Sequence, residues 1–156
     1  MTEQQTNPEQ ALAHAAAAAM WKRDHTANAL AMRLLDVKPG YAKLAMRVRP
    51  DMVNGHRICH GGMIFTLADT AFAYACNSRN HTTVASACHI DFLASAKEGE
   101  QLEAEAHERA LIGRSGVYDV TVRTAGGQTV ALFRGKSRRI AGEVIAGLQH
   151  EDDTST

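Results

Sequence analysis

The chain has 156 residues, with 17 Lys and Arg balanced by 17 Asp and Glu, and 45% of its residues are hydrophobic. That length suits one domain with a real core, and the charge balance excludes the basic excess of a nucleic-acid binder. No apolar run reaches the roughly 18 residues of a spanning helix, so a membrane is not an expected partner.

The first six residues are polar and are expected to be disordered. They lack the positive start and apolar core of a signal peptide. The three cysteines, Cys59, Cys76 and Cys88, are an odd number without metal-ligand spacing. Both observations read as a cytoplasmic protein with reduced thiols. Asn7-Pro8-Glu9-Gln10 is a helix start, with Asn as N-cap, Pro at the first helical position and Gln two further on. Ala11 to Met20 is alanine-rich and helix-prone, with an apolar surface small enough to predict a peripheral helix. A second short helix is expected from His25 to about Ala31. Residues 1–24 therefore read as a partly helical extension, 25–142 as the main domain and 143–156 as a flexible tail.

The period then changes. Leu44, Met46 and Val48 alternate with Lys43, Ala45, Arg47 and Arg49, which predicts a half-buried strand, and Pro39-Gly40 turns it back on residues 32–38. Asp51 to His60 reads as a loop, and Gly61 to about Ser78 as a helix. Four strand-like runs follow, over Thr83–Ala94, Gln101–Leu111, the segment after Gly113-Arg114, and Thr129 to about Ile140. The order predicts an α+β fold with an antiparallel sheet of about six strands wrapped around one long buried helix.

Chemistry concentrates around that helix. Of the 14 residues from Met63 to Cys76, eleven are hydrophobic, two are Thr, and only Asp69 can carry charge. A helix apolar on every face is expected to be buried on every face. Asp69 shares a stripe with Phe65, Phe72 and Cys76, surroundings that raise a carboxyl pKa. Such a group can act as general base on water or attack a carbonyl. The alternative is a structural Asp tied to the backbone. Thr70 is placed to donate a hydrogen bond beside it. Gly61 and Gly62 open the helix, where unpaired N–H groups and the helix dipole can hold an oxyanion, or the glycines simply permit a tight turn. His56, Cys59 and His60 lack a second ligand cluster, so no metal is expected. Cys59 as nucleophile would need a base and a positive environment. Asn54 can orient a carbonyl or water, or serve the turn at Gly55. Asp69 lies eight residues past Gly61, about 12 Å along the helix. One helix cannot bring both to one carbonyl, so a second protomer is expected to supply half of each site.

The pattern Asn54-Gly-His, His60-Gly-Gly and Asp69-Thr resembles the hotdog-fold acyl-CoA thioesterases. Residues 54–77, Val84 to Leu93, Gly116 to Val120 and Thr129 to Ser137 are similar to the phenylacetic-acid-degradation type, and the resemblance spans about residues 25–142. It implies a sheet-wrapped helix, pairing into dimers and assembly of dimers into a tetramer. It implies hydrolysis of an acyl-CoA, with ring-hydroxylated phenylacetyl-CoA as the substrate class and no cofactor. By that resemblance Asp69 is the catalytic carboxylate and Gly61 supplies the polarising N–H. Asn54 and His60 support the site from the partner chain. Gly62, Thr70 and Ser86 are candidate substrate contacts, Ser86 because some relatives position water from that strand. Two other activities fit parts of the pattern: a hotdog hydratase or dehydratase using His60 and Asp69 as an acid–base pair, and a non-catalytic acyl-CoA-binding module.

Overall fold

The computed structural model describes residues 7–148. The disorder expected for residues 1–6 and the end of the expected flexible tail, 149–156, fall outside that range. Helix α1 spans Pro8–Arg23, and Asn7 caps it by accepting the Glu9 N–H at 3.0 Å. Its alanines allow close approach: Ala13 and Ala16 have no exposed surface. The helix packs on strand β1, Arg33–Lys38, and Gln10 Nε2 donates to the Val37 carbonyl at 2.7 Å. At its end Trp21 lies 5.9 Å from Tyr74, whose hydroxyl donates to Asp24 Oδ2 at 3.2 Å. Asp24 also caps the short helix α2, His25–Ala29. The alanine-rich helix is thus fastened to the same core as the rest of the chain.

Strand β2, Tyr41–Arg47, pairs with β1 through the expected turn, where Gly40 has a φ of +70°. A 3-10 turn at Pro50–Met52 and a bridge between Val53 and Cys59 order the loop that follows. Helix α3 covers Gly61–Cys76, and four strands come after it: β3 His81–Phe92, β4 Gln101–Ile112, β5 Ser115–Thr124 and β6 Thr129–Glu143. The last runs three residues beyond the Ile140 expected from the sequence. All six strands form one antiparallel sheet in the order β1-β2-β4-β5-β6-β3.

Two cross-strand rows make the floor under α3. One joins Leu44, Ala104, Val122, Ala131 and Phe92, the other Ala42, Ala106, Val120, Phe133 and Ile90. Alanines in β4 let the helix sit close, and its Ile64, Leu67, Ala68, Ala71 and Phe72 are buried there. The helix is not buried on every face, contrary to expectation. Thr66, Asp69, Thr70 and Ala73, on the opposite stripe, are only half-buried, because a six-stranded sheet closes over one side of the helix and stops. The chain crosses from α3 to the far edge, so β3 pairs with β6 alone. This 12-residue edge carries Val84 and Phe92 at 45 and 52% exposure, and Leu93, just past its end, is 58% exposed. A long, unprotected apolar edge invites another strand. Among the described residues, no helix is long and apolar enough to cross a membrane.

A close helix–sheet approach gives a stability prediction. A Cβ added at Gly135 would lie 2.8 Å from two Phe72 ring atoms, and Phe72 is 1% exposed in the core. Overpacking of this kind costs about 1–3 kcal/mol. Gly135→Ala should lower the urea midpoint by a corresponding amount with an unchanged denaturant slope, since β6 and α3 must separate to admit the methyl.

Candidate active site

His60 builds the start of α3. Its Nδ1 accepts the Gly62 N–H at 3.1 Å, and its carbonyl accepts Met63 N–H at 2.9 Å and Ile64 N–H at 3.4 Å. Three of the four first-turn donors are thereby satisfied. Gly61 N–H is the donor left over among the described residues. This corrects the role expected for Gly62, whose N–H belongs to the cap and is not free for a substrate. It also fixes the His60 ring: an accepting Nδ1 places the ring proton on Nε2. His60 is an exposed residue.

Phe92, at the end of β3, covers Gly61. A Cβ at Gly61 would lie 3.1–3.5 Å from three atoms of its ring. This neighbour is not legible in the sequence, because it comes from a strand 31 positions later whose placement at the sheet edge depends on the crossover. Asp69, two turns further along α3, sits on the half-covered stripe. Burial holds its carboxyl above the usual carboxylate range. No hydrogen-bond donor engages it among the described residues, so it is not a structural Asp tied to backbone. Thr70 does not serve it: its hydroxyl donates to the Thr66 carbonyl at 2.7 Å, as Thr66 does to Gly62 at 2.8 Å. Thr hydroxyls in helices turn back on the preceding turn when no better acceptor is present.

The β3 residue that senses Asp69 is Cys88, an exposed thiol pushed up by burial and by that carboxylate. Ser86 lies at the bulge between Ala85 and Ala87 and donates to the Lys136 carbonyl at 3.1 Å. The bulge is the irregularity that period-2 reasoning cannot place. Gly61 thus lies against Phe92 and Asp69 is in electrostatic contact with Cys88, both along the open edge strand.

Asn54 and Cys59 are tied into the loop before α3 to different degrees. Asn54 Oδ1 accepts the His56 N–H at 2.9 Å and the Ile58 N–H at 3.4 Å, an Asx-type turn that leaves its Nδ2 as the available donor. Cys59 is 4% exposed and burial pushes its thiol up to about 11, which removes the thiolate a nucleophile requires. Among the described residues no group of three His, Cys, Asp or Glu side chains is arranged to hold a metal ion.

Known proteins resemble this chain in sequence and fold. Residues 56–131 match the family model described as Thioesterase superfamily. The chain is 48% identical over 126 residues to the acyl-coenzyme A thioesterase PaaI of Escherichia coli K12, covering 81% of this chain and 90% of that protein. The structure of the E. coli PaaI protein, from the phenylacetic acid degradation operon, superposes with a TM-score of 0.85 over 86% of this chain and 97% of that one, at 47% identity. A variant of the phenylacetic acid degradation protein PaaI from Thermus thermophilus gives a TM-score of 0.70 at 38% identity, over 73% and 97% of the two chains. A Streptococcus mutans protein solved bound to acetyl CoA gives 0.68 at 25% identity, over 72% and 90%.

Proposed function

The chain belongs to the thioesterase superfamily, and from that premise we propose that it is an acyl-CoA thioesterase of phenylacetate catabolism whose active sites each combine two chains. The observation that carries the reading is the pair of unsatisfied groups along one open edge: the Gly61 N–H and the Asp69 carboxylate. The first can hold an oxyanion and the second can take a proton. Their separation, about 12 Å along one helix, fits two half-sites.

A two-fold axis at the β3 edge reconciles them. Antiparallel pairing of β3 with its copy reverses the direction of α3. If the axis passes between the levels of Phe92 and Cys88, Gly61 of one chain faces Asp69 of the other. Pairing satisfies the β3 backbone, covers Val84, Phe92 and Leu93, and closes the half-buried stripe of α3. Two such dimers forming a tetramer complete the proposed assembly.

In this site the thioester carbonyl accepts the Gly61 N–H. Water, positioned by Asp69, adds to the carbonyl carbon and gives its proton to the carboxylate; direct attack by Asp69 followed by hydrolysis of the anhydride reaches the same products. The tetrahedral oxyanion is held at Gly61, the C–S bond breaks, and the proton passes to the departing CoA thiolate. The remaining donors, His60 Nε2–H and Asn54 Nδ2, serve to orient the acyl-CoA. Water is the second substrate and no cofactor takes part. The relative's operon points to an arylacetyl group, and ring-hydroxylated phenylacetyl-CoA is the proposed substrate. We place the reaction in the cytoplasm, in keeping with free Cys59, Cys76 and Cys88.

The test is a panel of arylacetyl-, benzoyl- and straight-chain acyl-CoA esters followed by thiol release. Thiol release should be fastest with the hydroxyphenylacetyl ester. Enoyl absorbance without thiol release would instead indicate a hydratase, and binding without either product a non-catalytic module.

A further inference from the structure

Edge strand β3 carries two charged side chains that the thioesterase reaction does not use, His89 and Asp91. Both are exposed, and His89 Nε2 lies 3.2 Å from Asp91 Oδ1. They alternate with Cys88, Ile90 and Phe92, which belong to the helix side of the sheet. Ile90 packs on the core, Phe92 covers Gly61, and Cys88 is in electrostatic contact with Asp69. His89 and Asp91 therefore stand on the outer face. The backbone alternates as well. Leu93 donates its N–H to the Val130 carbonyl at 2.8 Å, so residues 89 and 91 spend their backbone groups on β6, and residues 88, 90 and 92 turn theirs to the open edge.

The two-chain site proposed above, on which this inference rests, sets the register of the pairing. Gly61 of one chain faces Asp69 of the other when Phe92 lies opposite Cys88 of the partner subunit. The two-fold axis then passes through Ile90, whose open backbone groups meet those of its copy. His89 falls opposite Asp91 of the partner subunit, and Asp91 opposite His89 of the partner subunit. These are non-hydrogen-bonded pairs, in which side chains stand closest. A slip of one residue would set helix-side residues opposite outer-face ones, and a slip of two would set the two Asp91 side chains, or the two His89 side chains, against each other. The register that serves the reaction is thus the one that sets a donor opposite an acceptor. Neighbouring cations do not compete for Asp91: Arg134, beside His89 on β6, is held by Asp119 at 2.7 and 2.9 Å, and Arg109 lies 3.4 Å from the same carboxylate. We infer that two reciprocal His89–Asp91 pairs, one on each side of the axis, clasp β3 to its copy and fix the register on which both active sites depend.

Disulfide trapping reads the register. In a Cys88→Ser background, His89→Cys and Asp91→Cys chains are oxidised separately and as a co-refolded mixture. Facing positions have Cα atoms about 4.5 Å apart, within disulfide reach, whereas like positions lie on the diagonal at about 7–8 Å, beyond it. The mixture should give covalent dimers and neither parent alone should. A charge exchange then reads the clasp. His89→Asp sets two carboxylates together on each side of the axis, and Asp91→Lys sets a lysine against each histidine, so each homodimer should dissociate about tenfold more readily than wild type. A mixed dimer of these two variants restores unlike charges in both pairs. Native mass should show heterodimers well above the half that random pairing gives. Heterodimers at the random half would overturn the ion pairs, and cross-linking within either parent alone would overturn the register. A wild-type dimer that releases thiol but yields no 89–91 cross-link would overturn the clasp and leave the two-chain site standing, whereas an active monomer would overturn both.

Discussion

Replacing Asp69 with Asn is expected to lower kcat on the preferred thioester by about 10²–10⁴-fold, the range for losing a positioned general base. The fold should persist. Asn is nearly isosteric, and no hydrogen bond to the Asp69 carboxylate has to be remade. The pH dependence follows from the direction of its shift. Burial raises the Asp69 carboxyl above its ordinary value of 3.8, so activity should rise with pH through that raised value and fall in acid, where the base is protonated. The same limb must be missing from any residual activity of the variant. Stability moves in the opposite sense. Ionising Asp69 costs the folded state, a cost present above the folded value and absent once pH falls below the unfolded one. The variant should therefore melt at or above the wild-type temperature near neutrality and lose that advantage in acid. Near-wild-type kcat, or an acid limb that survives the substitution, would remove Asp69 from the reaction.

Much of this site is legible in the sequence, because its signals are local. One charge in an apolar 14-residue run and a glycine pair at a helix start can both be read from neighbouring residues. The strands from β4 onward follow for the same reason, as alternation with glycine turns fixes their faces. What is illegible depends on tertiary placement. That α3 would keep an open stripe cannot be read from a helix apolar all round, because periodicity cannot say where a sheet stops. Phe92 over Gly61 and Cys88 toward Asp69 follow from β3 crossing to the sheet edge, a topological fact. The roles expected of Gly62 and Thr70 are displaced by nearer partners: the cap at His60 and the carbonyl of Thr66 satisfy them first. Local hydrogen bonds with short loop closure outcompete distant ones, and sequence proximity to a catalytic group does not show which way a donor points.

Gly61→Ala should lower kcat by about 10²–10³-fold, the loss typical of a misaligned oxyanion donor. The N–H survives, but the methyl occupies the approach to it, and its Cβ meets the Phe92 ring at 3.1 Å. Phe92 is 52% exposed in the single chain and lies outside its buried core, so the chain itself should fold. The variant's decisive use is with Asp69→Asn. If each site takes Gly61 from one chain and Asp69 from the other, a dimer of the two variants contains one intact site and one carrying both lesions. Random pairing makes half the dimers mixed, each with half of wild-type activity, so co-refolding should restore about a quarter of wild-type specific activity from two nearly inactive parents. Mass measurement confirms that mixed dimers have formed. Recovery on mixing places the reacting carbonyl between the two helices. Confirmed mixing without recovery would mean that each site is built within one chain, and the two-fold arrangement at β3 would have to be replaced.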